Sequence, residues 1–193
     1  MTKIEETRDR ILNVATNIFS RFGFHKTTVD EIARMAHKAK GSIYYHFKSK
    51  EDLFELVVEK EFQTLKSELL KAIETSKTAK EKLMNYAKVR MVTVSKLSNY
   101  YDALKNEHLS YIDFIVKIRQ KYNNEEILLI NKILKNGVEN SEFELNDIFL
   151  TSNVILSALK GFELPFLINN KTDELIKRHE ELINIINRGI EKR

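Results

Sequence analysis

One proline and five glycines in 193 residues limit the fold more than any other feature of the chain. Barrels, sandwiches and glycine-rich nucleotide-binding sheets turn at many points where those residues are needed. The expectation is an all-α protein. Hydrophobic residues make up 42% of the sequence, enough for a sizeable core in one or two domains and too many for a disordered tail. There is no cysteine, hence no disulfide frame, thiolate metal site or thiol nucleophile. That fits an intracellular, reducing compartment, and a cytoplasmic location is expected.

The first residues, MTKIEETRDRILNVA, are charged where a secretory segment is apolar, so no export signal is expected. Only Phe149 to Ile168 approaches a membrane-spanning length, and Lys160 and Glu163 lie within it. Each such charge costs about 2.5 to 3.5 kcal/mol near a bilayer centre, so a buried helix and no membrane partner are expected.

Charge is uneven. The first fifty residues carry ten Lys and Arg against five Asp and Glu, and the remainder twenty-two against twenty-three. Between Glu31 and Glu51 there is no acid, while Arg34, Lys38, Lys40, Lys48 and Lys50 fall there with His37 and His46. Such a stretch carries a positive field suited to phosphates.

Ile11, Ala15, Ile18 and Phe22, with Leu12 and Phe19 beside them, recur at helical spacing and predict a helix from about Lys3 to Phe22, stopped by Gly23. Thr28 stands three residues before Glu31, a capping box opening a two-turn helix with Val29, Ile32, Ala33 and Ala36 on its apolar face. A second short helix follows over Lys40 to Phe47, with Ile43 and Phe47 one turn apart and facing inward. Ser49 and Asp52 form another capping box, and a long helix runs from there through Leu65 and Leu69 to about Glu74.

Two short helices joined by a short turn, braced by a longer one and set in an acid-free segment, have the layout of a helix-turn-helix DNA reader. The runs GFHKTTVDEIARMA and KGSIYYHFKSKEDLF within it resemble the N-terminal signature of the TetR family of bacterial transcriptional regulators, over roughly residues 8 to 56. The resemblance implies a three-helix DNA-binding domain over residues 1–50 and an effector-binding and dimerisation domain over residues 51–193. It assigns Lys40, Gly41, Ser42, Tyr44, Tyr45 and His46 to the recognition helix and Lys50 to a clamp on the DNA backbone, and it brings Thr27 and Thr28 to phosphates. Lys40 can donate to guanine acceptors, Gly41 permits close approach of the backbone, and Lys38 and Lys48 supply phosphate charge. Phe47 is core, Tyr45 has core as its alternative, and Thr28 is first a helix cap. One departure is His37-Lys38 in the turn, where members of the family usually carry glycine and a small apolar residue.

Beyond Thr78 the pattern stays helical, with breaks near Ser98-Asn99, Glu107–Ser110, Gly137–Ser141 and Asn169–Thr172. Ile127 to Leu134 and Asp147 to Asn169 are apolar enough to be buried on more than one side. The last helix, about Asp173 to Ile190, spreads its apolar residues over an arc wider than one neighbour needs, and a partner surface bearing Ile183, Ile186 and Ile190 is expected there. The resemblance implies homodimerisation through these last two long helices. Tyr86, Met91, Tyr100, Tyr101, Tyr111, Phe114, Phe162 and Phe166 are candidates for an effector cavity with few charged walls, beside a helix kinked at Pro165.

Catalysis is not expected. The five histidines include no pair one helical turn apart, and there is no glycine-rich phosphate loop or nucleophile elbow. No metal or cofactor is implied. The expected function is a ligand-responsive transcriptional regulator, a dimeric repressor that grips palindromic double-stranded operator DNA and is released by a small apolar effector. The alternative is a DNA-bound protein-interaction factor, for example in cell division, with no small-molecule effector.

Overall fold

The computed structural model describes residues 2–97, 99, 113–167 and 172–192, apart from the side chains of residues 114, 115, 162–167 and 172–175. The described residues form eight α-helices: α1 (Lys3–Lys26), α2 (Val29–Met35), α3 (Lys40–His46), α4 (Lys50–Glu74), α5 (Ala79–Val94), α6 (Asp113–Glu139), α7 (Ile148–Leu167) and α8 (Thr172–Ile190). Extended pairing among them is limited to one bridge between Phe143 and Glu191. No helix of the described residues is long and apolar enough to cross a membrane. Two compact units result, Met1–Gln63 with Leu97–Arg119 and Thr64–Lys96 with Gln120–Arg193, so α4 and α6 each contribute to both.

The first unit is built on α1. Its helical geometry is interrupted where the sequence predicts a stop, at Gly23, whose φ of 77° is open to glycine and strained for other residues. The turn carries Phe24 into the core, where its ring lies 5.0 Å from that of Phe54, and Phe19 meets the same Phe54 ring at 5.0 Å. Phe22 does not join the apolar face assigned to it. It is 52% exposed, with the Arg21 guanidinium carbon 5.2 Å from its ring centre, because the break at Gly23 leaves Phe22 as the last helical residue before the chain turns inward. Asn99 is buried in this unit, donating to the Thr16 carbonyl at 3.1 Å and to the Glu61 carboxylate at 2.7 Å.

In the second unit α5 opens on a capping box, the Thr78 hydroxyl accepting from the Glu81 N–H at 3.1 Å. The Glu142 carboxylate accepts from the Ala79 N–H at 2.8 Å and satisfies a further donor of the helix start. The break expected at Gly137–Ser141 is present: α6 ends at Glu139 and Ser141 takes φ 59°. A side chain at Gly137 would strike the Phe143 ring and approach the Ala79 Cβ to 2.9 Å, so glycine is what lets α6, Phe143 and the start of α5 close on one another. Surface ion pairs Lys80–Glu191 and Lys88–Glu180, at 3.1 and 3.3 Å, follow the antiparallel run of α5 against α8 and the residue after it.

The face of α8 buried in this way is His179, Ile183 and Asn187. The His179 Nε2 donates to the Leu159 carbonyl of α7 at 3.2 Å. Ile183 is therefore not part of an exposed partner surface: it is fully buried against its own chain, and Ile186 and Ile190 are half-buried. Among the described residues, the large apolar side chains that these two helices expose are Phe149, Leu150, Val154 and Ile185. An apolar arc on a helix wheel shows that two surfaces are covered without showing which belongs to the same chain.

Candidate nucleic-acid interface

Thr28 caps α2 as expected. Its hydroxyl accepts from the Glu31 N–H at 3.3 Å, and the Glu31 carboxylate accepts from the Thr28 N–H at 2.9 Å. These bonds from Thr28, backbone first, lower the Glu31 carboxyl below its ordinary value. The helix ends in a left-handed turn at His37, φ 54°, with the His37 N–H on the Arg34 carbonyl at 3.1 Å and the Lys38 N–H on the Ala33 carbonyl at 2.9 Å. This paired closure is the usual helix stop of glycine, and a side chain there costs roughly 1 to 2 kcal/mol, least for residues such as histidine that visit the region more often. The turn thus closes normally despite the substitution, and His37 points to solvent with Lys38 half-buried behind it.

The turn delivers α3 with Ile43 and Phe47 buried at 2% and 1% exposure. The Arg8 guanidinium carbon lies 5.5 Å from the Phe47 ring centre. Held from beneath, α3 turns its other face outward: Tyr44 is 48% and Tyr45 74% exposed, which removes the core reading of Tyr45. Lys40 and Gly41 are exposed, and a side chain at Gly41 would meet open space, so nothing inside the protein requires glycine there. Ser42 and His46 are half-buried at the edges of this face and Lys48 is exposed beyond it.

Three residues sit differently from their sequence assignments. Thr27 is 1% exposed and its hydroxyl donates to the Gly23 carbonyl at 2.8 Å, so its side chain shapes the turn after Gly23 and has no route to a phosphate. Lys50 donates to the carbonyls of Phe24 at 2.9 Å and Thr27 at 3.1 Å, with its ammonium 4.2 Å from the Phe24 ring centre. It ties the start of α4 to the end of α1 before it can clamp anything else, with one of three donors left. Lys40 forms an ion pair with Asp30 at 2.9 Å, whose hydrogen bond and charge raise the ammonium above its ordinary value. Asp30 escaped the sequence reading, although its place ten residues before Lys40, each in the first turn of consecutive short helices, was the available signal.

The aromatic candidates for an effector cavity are only partly within the described residues. Tyr100, Tyr101 and Tyr111 lie outside them, and nothing is described of the side chains of Phe114, Phe162, Pro165 and Phe166. Tyr86 and Met91 are fully buried. The surroundings of Tyr86 are charged rather than apolar. Its hydroxyl donates to Glu126 at 3.0 Å, the same carboxylate is paired with the Arg90 Nε, and the Lys160 ammonium lies 3.6 Å from it. Burial pushes this carboxyl up, but Arg90, Lys160 and the bonds from Arg90 and Tyr86 outweigh it and hold it at about 2. A separate, open groove of about 330 Å³ is lined by Leu70, Ile73, Lys82, Leu129, Lys132 and Ile133 among others, and by none of the aromatic candidates.

A short helix anchored by two buried apolar residues, with basic and aromatic side chains outward and preceded by a capped helix and tight turn, defines a helix-turn-helix DNA-binding transcriptional regulator. The comparisons agree. Residues 11–57 match the family described as bacterial regulatory proteins, tetR family. The HTH-type transcriptional regulator QacR of Staphylococcus aureus is 30% identical over 191 residues, 96% of this chain and 98% of that protein. The fatty acid metabolism regulator protein of Bacillus subtilis is 25% identical over 194 residues, 94% of each. The structure of the transcriptional regulator FadR from Bacillus subtilis in complex with stearoyl-CoA superposes with a TM-score of 0.79 at 22% identity, over 94% of this chain and 98% of that one. The chain belongs to the tetR family of bacterial regulatory proteins.

Proposed function

We propose that this regulator is a ligand-responsive repressor. A cytoplasmic homodimer joined through α7 and α8 reads a palindromic operator with one α3 in each of two major-groove half-sites, and a small, largely apolar effector releases it. The outward face of α3 carries this reading: Lys40 and Tyr44 meet base edges, Gly41 allows close approach, and Ser42, Tyr45 and His46 border the groove. Thr28, Lys38, Lys48 and the remaining donor of Lys50 meet phosphates.

The exposure of Leu150, Val154 and Ile185, at 59%, 58% and 58%, supports dimerisation through α7 and α8. Such residues on adjacent helices are a liability on a monomer and a seam in a dimer. Sedimentation of the wild type at micromolar concentration is expected to give a dimer, and Leu150→Glu with Val154→Glu a folded monomer with weakened operator binding. A wild-type monomer, or a doubly substituted dimer, refutes this interface.

Effector sensing draws on Tyr86 and Met91 with the aromatic candidates beyond the described residues. The ionic group at Tyr86 favours an effector with an apolar body and one polar handle. Because α4 belongs to both units, it is the proposed lever. A ligand preferring the DNA-incompetent state by about 1 to 3 kcal/mol lowers operator affinity roughly 5- to 150-fold. The test is a thermal-shift screen of lipophilic compounds followed by operator titration with each hit, in which stabilising hits reduce operator affinity. Hits that stabilise without changing it refute release. The open groove beside Lys132 favours the second reading, a protein-interaction module, if no compound binds.

A further inference from the structure

We infer that Asp30 is a specificity-determining residue of DNA reading, whose carboxylate withholds the Lys40 ammonium from phosphates and yields it to a neutral base edge. The inference rests on Lys40 reading a base, as proposed above. Asp30 and Lys40 meet at 2.9 Å, with side chains 68% and 52% exposed. An ion pair so open to water is weak and exchanges readily, so a good acceptor can take the ammonium from it.

The two acceptors that DNA offers differ in charge. The O6 and N7 of guanine are neutral, whereas every phosphate is an anion. A phosphate close enough to bind Lys40 is also close to the carboxylate and is repelled by it, while a base edge is not. The carboxylate therefore penalises the sequence-independent use of Lys40 far more than the sequence-dependent one, and specificity gains from a repulsive element as well as an attractive one. Glu31, the next acid, is committed to the Thr28 cap, with its carboxylate accepting from both the backbone and the hydroxyl of that residue. Asp30 makes no such cap bond: its carboxylate is turned to α3.

The experiment titrates the wild-type protein, Asp30→Asn, Lys40→Ala and the double variant against two duplexes over a salt series. One is an operator selected by the wild type from a randomised pool, and the other is its scrambled counterpart. Thermal melts of the four proteins check folding. For Asp30→Asn, affinity for the scrambled duplex is expected to rise roughly three- to ten-fold and its log–log salt slope to steepen by about 0.9, one added phosphate contact. Operator affinity changes much less, so selectivity falls, and in the Lys40→Ala background Asp30→Asn no longer alters selectivity. Equal gains on both duplexes, a selectivity loss that persists without Lys40, or no gain on the scrambled duplex each overturn the role of Asp30. If Lys40→Ala by itself leaves selectivity unchanged, base reading by Lys40 is refuted and the inference falls with it. If it lowers selectivity and Asp30→Asn does not, only the inference is refuted.

Discussion

Glu126→Gln is expected to cost about 3 to 5 kcal/mol of stability, because it removes the negative member of a buried ionic group and leaves the positive charge of Arg90 inside the core. Glu126 is fully buried and Arg90 is 1% exposed. For a fold stabilised by roughly 5 to 15 kcal/mol in total, that loss is large. Urea denaturation followed by circular dichroism measures it, and a loss below about 1 kcal/mol would mean that the surroundings compensate. Replacing Arg90→Met together with Glu126→Leu should recover part of the deficit, since an apolar pair carries no desolvation cost, while the Tyr86 hydroxyl and the Lys160 ammonium still lose the carboxylate they face. The effect has a direction in pH. A carboxyl held at about 2 instead of its ordinary 4.5 contributes about 3 kcal/mol above the higher value. That contribution is lost as the pH falls from 4.5 towards 2, so the gap between wild type and Glu126→Gln is widest near neutrality and closes across this acid range.

Lys40→Ala with Tyr44→Ala is expected to abolish selective operator binding while leaving the fold intact. Each good base contact is worth roughly 1 to 3 kcal/mol in discrimination, so two in each half-site of the proposed dimer remove roughly 4 to 12 kcal/mol, comparable to the roughly 4 to 10 kcal/mol that separates specific from non-specific DNA binding. Both residues are about half exposed and neither supports the core, which rests on Ile43 and Phe47. A thermal melt should be nearly unchanged. Lys40→Ala also leaves the Asp30 carboxylate facing the DNA, so its loss of affinity includes a repulsion absent from Tyr44→Ala. Full operator affinity of the double variant in a binding titration would show that α3 does not read the bases.

The helical fold and the outline of the DNA reader were legible because they rest on local chemistry. Gly23, the Thr28 and Glu31 box, and the spacing of Ile43 and Phe47 act within a few residues of chain, and each behaves as its sequence implies. Ser49 also caps α4, accepting from the Asp52 N–H at 3.1 Å, although the Asp52 carboxylate reaches back to the Lys48 N–H instead of the Ser49 N–H. What was not legible depends on partners distant in sequence. Lys50 ends on carbonyls 23 and 26 residues away, and the Arg90–Glu126 pair spans 36. A charged residue in a helix reads as a solvated face until its partner is known. The choice between Ile183 and Ile185 as the outward residue was likewise made by α5, whose contact with α8 no periodicity reports.

The left-handed turn at His37 also bears on how such a head can change over generations. Codons for histidine are one base from those for asparagine and aspartate, and aspartate is one base from glycine. All four residues enter the left-handed region more readily than branched or bulky ones. A lineage can therefore move between glycine and histidine at this turn in single steps, each keeping the closure made by the His37 and Lys38 N–H groups. The turn is a corridor of near-neutral drift, along which a side chain with a new charge or hydrogen-bonding group can be tried on the surface between α2 and α3 while the helices around it stay as they are.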